Sequence, residues 1–489
     1  MISGYIIAVG ILSFLMSFAI GANDAANALA TSYGSKALKL WQIVVLGAIF
    51  EFIGAFFCSG HVAGHLVSGI VEGTDTLEDD VINQMMLGTS ISSFLFIMAS
   101  SVFGVPISGT HTIVGSIIGA GMAVFGASSI NWLKLGTIVI SWFVAPLVSI
   151  ILCAIFFIAV TTLTLDKTRN SFNARLIWLT LISGFACMLI CLMIMGLVRE
   201  KDAPYTTVQL ICLLLSPIAG IIITRIALII LMRHIQKKGE AEQPAQNDME
   251  NEQQEAVIGQ LYRVLMVVAA MLVCLGHGAN DVANSISPLL VALESDGDNI
   301  QIAYIIGSVG IALGLLILGY RVMETVGTKV VKLDFAKGFT AQFATALSVN
   351  LGTIAGVPLS TTHCMVGALM GLALAQKLKV VQNVYPVEEK AENPQKTADE
   401  VKEAAKVAPE PAEADEESGV KPAEAPKQEE APKQEGQQAA EKAEAADEQK
   451  PSKDARKGKV ICKILVWWLA TVPVALLCSY GVTQLLRHI

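Results

Sequence analysis

The sequence predicts an all-α polytopic membrane protein. About twelve membrane segments are expected, arranged as two inverted-topology repeats that contain broken or re-entrant helices. Three observations lead there. Of 489 residues, 53% are hydrophobic and only 16% charged, with the apolar residues gathered in long blocks; a soluble globular chain is about 25% charged. Two polar motifs inside those blocks each occur twice, in the same order. Basic residues also alternate in density between successive connections.

Taken in order, the segments fall near residues 4–33, 41–60, 84–103, 106–126, 133–163, 174–198, 205–232, 258–289, 300–320, 339–355, 358–379 and 461–486. Leu176 to Val198 and Val208 to Thr224 hold no charged residue, and some 20 apolar residues suffice to cross a hydrocarbon core about 30 Å thick. The chain begins Met1-Ile2-Ser3-Gly4 with no basic stretch, so the first segment is expected to be a retained span rather than a removed signal peptide. The nine cysteines lie mostly in apolar spans without zinc-type spacing. Cys187 and Cys191, one helical turn apart, read as buried packing. The segments group into a first transport repeat (1–165), connecting membrane helices (166–232), a cytoplasmic loop (233–257), the main part of a second repeat (258–379), an insert (380–459) and a final helix of the second repeat (460–489).

The net charge of −8 sits almost wholly in the insert, which is rich in Ala, Glu, Lys and Pro and repeats Ala-Pro-Lys-Gln-Glu at 425–429 and 431–435. Such a composition cannot bury enough apolar surface to offset its conformational entropy, so a disordered linker is expected. Nothing in the charge pattern suggests nucleic-acid binding. With the N-terminus outside, one side collects Lys36, Lys39, Lys167, Arg169, Arg175, Arg233, Lys237, Lys238, Lys329, Lys332, Lys377 and Lys379, among others, and the other little more than Lys134, Arg199, Lys201 and Arg487. The positive-inside rule then places both hydrophilic inserts in the cytoplasm and both termini outside.

Gly21-Ala22-Asn23-Asp24-Ala25-Ala26-Asn27 recurs as Gly278-Ala279-Asn280-Asp281-Val282-Ala283-Asn284. Val105-Pro106-Ile107-Ser108-Gly109-Thr110-His111 recurs as Val357-Pro358-Leu359-Ser360-Thr361-Thr362-His363. A third echo pairs Trp142 through Pro146 with Trp468 through Pro473. On the orientation above, the first copy enters from outside and the second from inside, which makes an inverted repeat with its site near the midplane.

An aspartate at the centre of a membrane helix is unfavourable by about 2.5–3.5 kcal/mol, so two of them flanked by amides need partners. On a helix Asn23, Asp24 and Asn27, and likewise Asn280, Asp281 and Asn284, lie on adjoining parts of one face. Their oxygens suit a small hard cation; interhelical packing alone is the weaker reading for a doubled carboxylate motif. In the second motif the residue before proline leaves helical geometry, and Ser108 and Ser360 are placed to N-cap the helices that follow. Free N–H groups at a helix start, with hydroxyls from Thr110, Thr361 and Thr362, make an oxyanion site; two such ends facing each other would cradle a tetrahedral anion. His111 and His363 could touch the anion, carry a proton or, first among these, brace the turn. Glu51, an isolated acid in a span, suggests a cation-coupling or protonatable role, and Gln342 could add a neutral oxygen.

These motifs resemble those of the inorganic phosphate transporter (PiT) family of cation–phosphate symporters, and the resemblance covers essentially all the membrane spans. It implies an inverted-repeat secondary transporter in which Asp24, Asn27, Asp281 and Asn284 help to bind cation and substrate. It also implies that Ser108, Thr110, Ser360, Thr361 and Thr362 line the phosphate site, and that Glu51 matches a functionally important glutamate. Some relatives have a second glutamate where this chain has Gln342. The expected substrate set is therefore Asn23, Asn280, Ser108, Gly109, Thr110, His111, Ser360, Thr361, Thr362 and His363. The expected cation set is Asp24, Asn27, Asp281, Asn284, Glu51 and Gln342, with Asp24, Asn27, Asp281 and Asn284 as sodium ligands if sodium is the coupling ion. Partners are inorganic phosphate, a coupling cation (Na+ favoured, H+ the alternative), the lipid bilayer and a possible homodimer, in the plasma membrane and without cofactor. Family members also include carriers of sulfate and of metal–phosphate complexes. A channel would lack saturable cation dependence, and no nucleophile motif accompanies the histidines as a hydrolase would require.

Overall fold

The computed structural model describes residues 4–63, 66–73, 79–102, 108–199, 204–239, 246–295, 299–320, 323, 333–385 and 453–488. Sixteen α-helices are assigned among them: α1 (Gly4–Asn23), α2 (Ala25–Gly34), α3 (Leu40–Phe57), α4 (Gly60–Ala63), α5 (Leu66–Ile70), α6 (Asp79–Val102), α7 (Gly109–Phe125), α8 (Trp132–Val160), α9 (Phe172–Val198), α10 (Thr207–Gly239), α11 (Gln246–Ser295), α12 (Gln301–Gly314), α13 (Phe335–Ile354), α14 (Thr361–Ala375), α15 (Lys379–Gln382) and α16 (Lys453–Arg487). Residues 1–386 and 464–489 form one compact unit; of the second, 387–463, only the opening of α16 is described. The insert expected at 380–459 therefore lies largely outside the described residues.

Among the described residues, eight helices are long and apolar enough to cross a membrane. The segments expected at 106–126 and 358–379 instead form the shorter α7 and α14, of 17 and 15 residues. At 1.5 Å per residue they reach about 22–26 Å, less than the hydrocarbon core. Nearly every residue of α7 is buried, as expected of a helix that is apolar all round and enclosed by its neighbours. On α8, by contrast, Ile140, Phe143, Leu147, Ile151 and Ile155 are exposed, as are Leu214, Ile218, Ile222 and Ile226 on α10. An apolar outer surface of this kind fits hydrocarbon as its solvent.

The interval 233–257, expected as a loop, is helical at both ends, because α10 runs to Gly239 and α11 begins at Gln246. The extension of α11 has an anchor. Buried Arg175 donates to both carboxylate oxygens of Glu255, at 2.7 and 3.0 Å, and through Nε to the Thr164 carbonyl at 2.8 Å. Thr164 lies in a π-helical turn, Thr161–Leu165, that ends α8.

The residues matched by the sequence repeat make reciprocal contacts. A methyl group at Gly21 of α1 would lie 2.0 Å from the Ile311 carbonyl oxygen of α12, and one at Gly278 of α11 would lie 2.2 Å from the Glu51 carbonyl oxygen of α3. Likewise Gly115 of α7 abuts Val472 of α16, as Gly367 of α14 abuts Pro146 of α8. In each of these four pairs the backbones of two helices come into contact, an approach that only the absence of a side chain permits.

Candidate functional site

The doubled proline motif caps two helices. Ser108 Oγ accepts from the His111 N–H at the start of α7, and Ser360 Oγ accepts from the His363 N–H at the start of α14, each at 3.4 Å. Val105 and Pro106 lie outside the described residues. In the second copy α13 closes in a Schellman turn: Gly356 has φ +68°, the Val357 N–H bonds the Gly352 carbonyl at 3.0 Å and the Gly356 N–H bonds the Thr353 carbonyl at 2.9 Å. Asn280 clamps this turn from α11. Its Nδ2 donates to Thr353 Oγ1 at 3.1 Å, and its Oδ1 accepts from the Leu359 N–H at 3.2 Å.

The two starts lie side by side. His111 and His363 have ring centroids 5.0 Å apart, and the His111 ring rests 3.8 Å from that of Trp142; both histidines are buried. Thr110 donates to the Leu359 carbonyl at 3.0 Å and accepts from Asn284 Nδ2 at 3.2 Å. Thr361 donates to Asp281 Oδ2 at 3.1 Å, and Asn284 Nδ2 also reaches Asp281 Oδ1 at 3.4 Å. Asp24 stands at the opening of α7, its Oδ2 3.5 Å from where a Cβ on Gly109 would lie. A carboxylate there meets the positive end of the helix.

The two copies of the acidic motif differ in setting. The first spans the junction of α1, which ends at Asn23, and α2, which starts at Ala25; Asp24 between them keeps helical dihedrals (φ −84°, ψ −29°) and bonds the Ile20 carbonyl through its N–H at 2.8 Å, without capping α2 through its side chain. The second runs unbroken inside α11. There His277, at i−4 from Asp281, and Asn284, at i+3, both meet the Asp281 carboxylate along one helix face. In the first copy the residue matching His277 is Ile20.

His277 is absent from the sequence-based set and is central to the arrangement. Its Nδ1 lies 2.8 and 2.9 Å from the two Glu51 carboxylate oxygens, and its Nε2 lies 2.9 Å from Asp281 Oδ2. Asp24, His277 and Asp281 offer ligand atoms that all lie within 4.8 Å of one another. Three acids therefore surround one imidazole in a buried site. With all three carboxylates ionised the cluster would be net negative even around a protonated imidazole, and a bound cation would offset that charge. The available signal was an intramembrane histidine directly before the second Gly-Ala-Asn-Asp.

The remaining expected residues are placed as follows. Glu51 is fully buried and engaged by His277. Gln342, fully buried on α13, donates to Thr31 Oγ1 of α2. Asn23 is half-buried at the end of α1, Thr362 is half-buried on the first turn of α14, and Asn27 lies on α2.

Buried polar side chains converge here within a bundle of membrane helices, and the family match makes the chain a membrane transport protein rather than an enzyme. The profile of the phosphate transporter family matches residues 20–479, and the chain belongs to that family. A Haemophilus influenzae protein named as a phosphate permease is 32% identical over 389 residues, covering 76% of this chain and 90% of its own. A Thermococcus kodakarensis protein of the same designation is 31% identical over 379 residues, covering 76% and 89%. Among solved structures, one described as the sodium-dependent phosphate transporter is similar in fold, with a TM-score of 0.73 and 24% identity over the whole of both chains.

Proposed function

We propose that this protein imports inorganic phosphate by symport with cations, sodium in the first place, through alternating access of two inverted halves in the plasma membrane, with both termini outside. The observation that carries the proposal is the convergence of all four motif stretches. Asp24 faces the start of α7, Thr110 of α7 bonds Asn284, Thr361 of α14 bonds Asp281, and Asp24 and Asp281 share one cluster. The starts of α7 and α14 supply N–H groups and hydroxyls suited to a tetrahedral anion, while the aspartates supply the negative charge that gathers cations beside it. The reciprocal glycine contacts support two matching halves.

Coupling follows from electrostatics. Each negative charge moved inward against an inside-negative potential costs about 2.3 kcal/mol per 100 mV, so a doubly charged phosphate needs at least two monovalent cations for neutrality. Cations filling the aspartate cluster would complete the anion site, and the filled site would then turn inward as one half rocks against the other.

Radiolabelled phosphate uptake into proteoliposomes under imposed sodium or pH gradients, with sulfate as competitor, tests this reading. Sodium-driven concentrative uptake is expected, with Asp24→Ala and Asp281→Ala each abolishing it while the protein stays inserted. Uptake that survives both substitutions, or that follows sulfate instead of phosphate, would refute the proposal.

A further inference from the structure

The cluster contains a donor that sodium does not call for. Hard cations such as sodium are served by oxygen ligands, whereas imidazole nitrogen suits first-row transition metals. His277 Nε2 is buried, lies 2.9 Å from Asp281 Oδ2, and falls with Asp24 and Asp281 in one group of ligand atoms within 4.8 Å of one another. Behind it, Glu51 holds Nδ1 with both carboxylate oxygens. A carboxylate that fixes one ring nitrogen while the other faces a ligand position is the outer-shell arrangement typical of metal-bound histidine.

We propose that Asp24, His277 and Asp281 form a binding site for a bare divalent first-row transition-metal ion of the cobalt or zinc type, bound directly by the protein in the absence of phosphate. Metal bonds of about 2.0–2.2 Å place donors roughly 3–4 Å apart around one ion, close to the present spacing, within 4.8 Å. Two carboxylates balance the ion's charge, and Thr361 and Asn284 orient one of them. Glu51 then acts as a positioning residue through His277. The repeat supplies a contrast: Gly278, which abuts Glu51, answers to Gly21, which abuts Ile311, and the residues matching His277 and Glu51 are Ile20 and Ile311. The nitrogen donor and its carboxylate support thus occur at the α3–α11 contact and not at the matching α1–α12 contact. The inference rests on the reading of this cluster as a cation site, and it implies that such metals compete with the coupling cation.

The test is a titration of the purified, detergent-solubilised full-length protein with cobalt chloride, in sodium-free and phosphate-free buffer after alkylation of exposed thiols. Visible d–d absorption of low-coordinate cobalt is expected, together with imidazole scattering in X-ray absorption at the cobalt edge. His277→Gln should remove the absorption, sodium should displace the metal, and Glu51→Gln should weaken binding about 10–100-fold. Absence of d–d bands at millimolar cobalt, bands unchanged in His277→Gln, or sulfur charge-transfer bands in their place would overturn the inference. The edge spectrum of the unaltered protein decides the ligand set even if a variant fails to fold. Sodium-driven phosphate uptake is measured separately: cobalt binding without uptake removes the proposed function and leaves the site, whereas uptake without cobalt binding does the reverse.

Discussion

Replacing Gly278 by alanine tests the architecture and the site together. The new Cβ would lie 2.2 Å from the Glu51 carbonyl oxygen and 3.0 Å from both the Glu51 carbonyl carbon and the Ala55 nitrogen. Ordinary contact begins near 3.4 Å, so α3 and α11 must separate by about 1 Å, and the obstacle is backbone that no rotamer change can move aside. Overpacking costs typically about 1–3 kcal/mol, and the upper end applies here for that reason. The displacement falls on Glu51, whose carboxylate holds His277 against Asp281. Misplacing a functional group by about 1 Å can cost about 100-fold in rate. Gly278→Ala should therefore lower phosphate uptake in proteoliposomes by about two orders of magnitude, with a fall of several degrees in the apparent melting temperature by fluorescence-detected size exclusion. Gly136→Ala on α8, where nothing lies within 4 Å of the added methyl, should leave both unchanged. Unaltered uptake and melting in Gly278→Ala would refute the close backbone approach of α3 to α11 and the argument built on it.

Two further predictions concern the polar contacts at the ends of α8, α9 and α11. Arg175→Ala should destabilise the protein by about 2–3 kcal/mol, since it removes a bidentate pair whose arginine is buried and whose Glu255 is about one-third exposed; Arg175→Lys, which cannot form the fork, should recover only part of the lost melting temperature. Burial would by itself raise the Asp166 carboxyl, but hydrogen bonds from the Thr168 hydroxyl at 2.6 Å and the Thr168 N–H at 2.9 Å hold it below the usual aspartate range. A depressed carboxyl contributes stability above its unfolded value of about 3.9 and loses it as pH falls through its folded value. The melting gap between wild type and Asp166→Asn should thus be full at pH 7 and close below about pH 4.

Legibility of the site followed the range of each interaction. The two N-caps were readable because Ser108 and Ser360 bond N–H groups three residues on, and local chemistry needs no partner from elsewhere in the chain. That Asp24, Asp281 and Glu51 need partners was readable because an acid among apolar residues is unfavourable wherever the bundle places it. His277 passed unnoticed since its meaning lies in Glu51, 226 positions away. The bond from Gln342 to Thr31, 311 positions away, was likewise unreadable along the chain.

The sequence by itself determined the apolar helices, the two doubled motifs and the family to which they belong, because these depend on composition, spacing and near-neighbour bonding. The packed bundle decided which helices touch, and that Asn280 clamps a turn while His277 bridges two acids. These outcomes arise from close packing between segments hundreds of residues apart, where a missing methyl group at Gly21 or Gly278 decides how near two backbones come, and no pattern along one strand of sequence carries that distance.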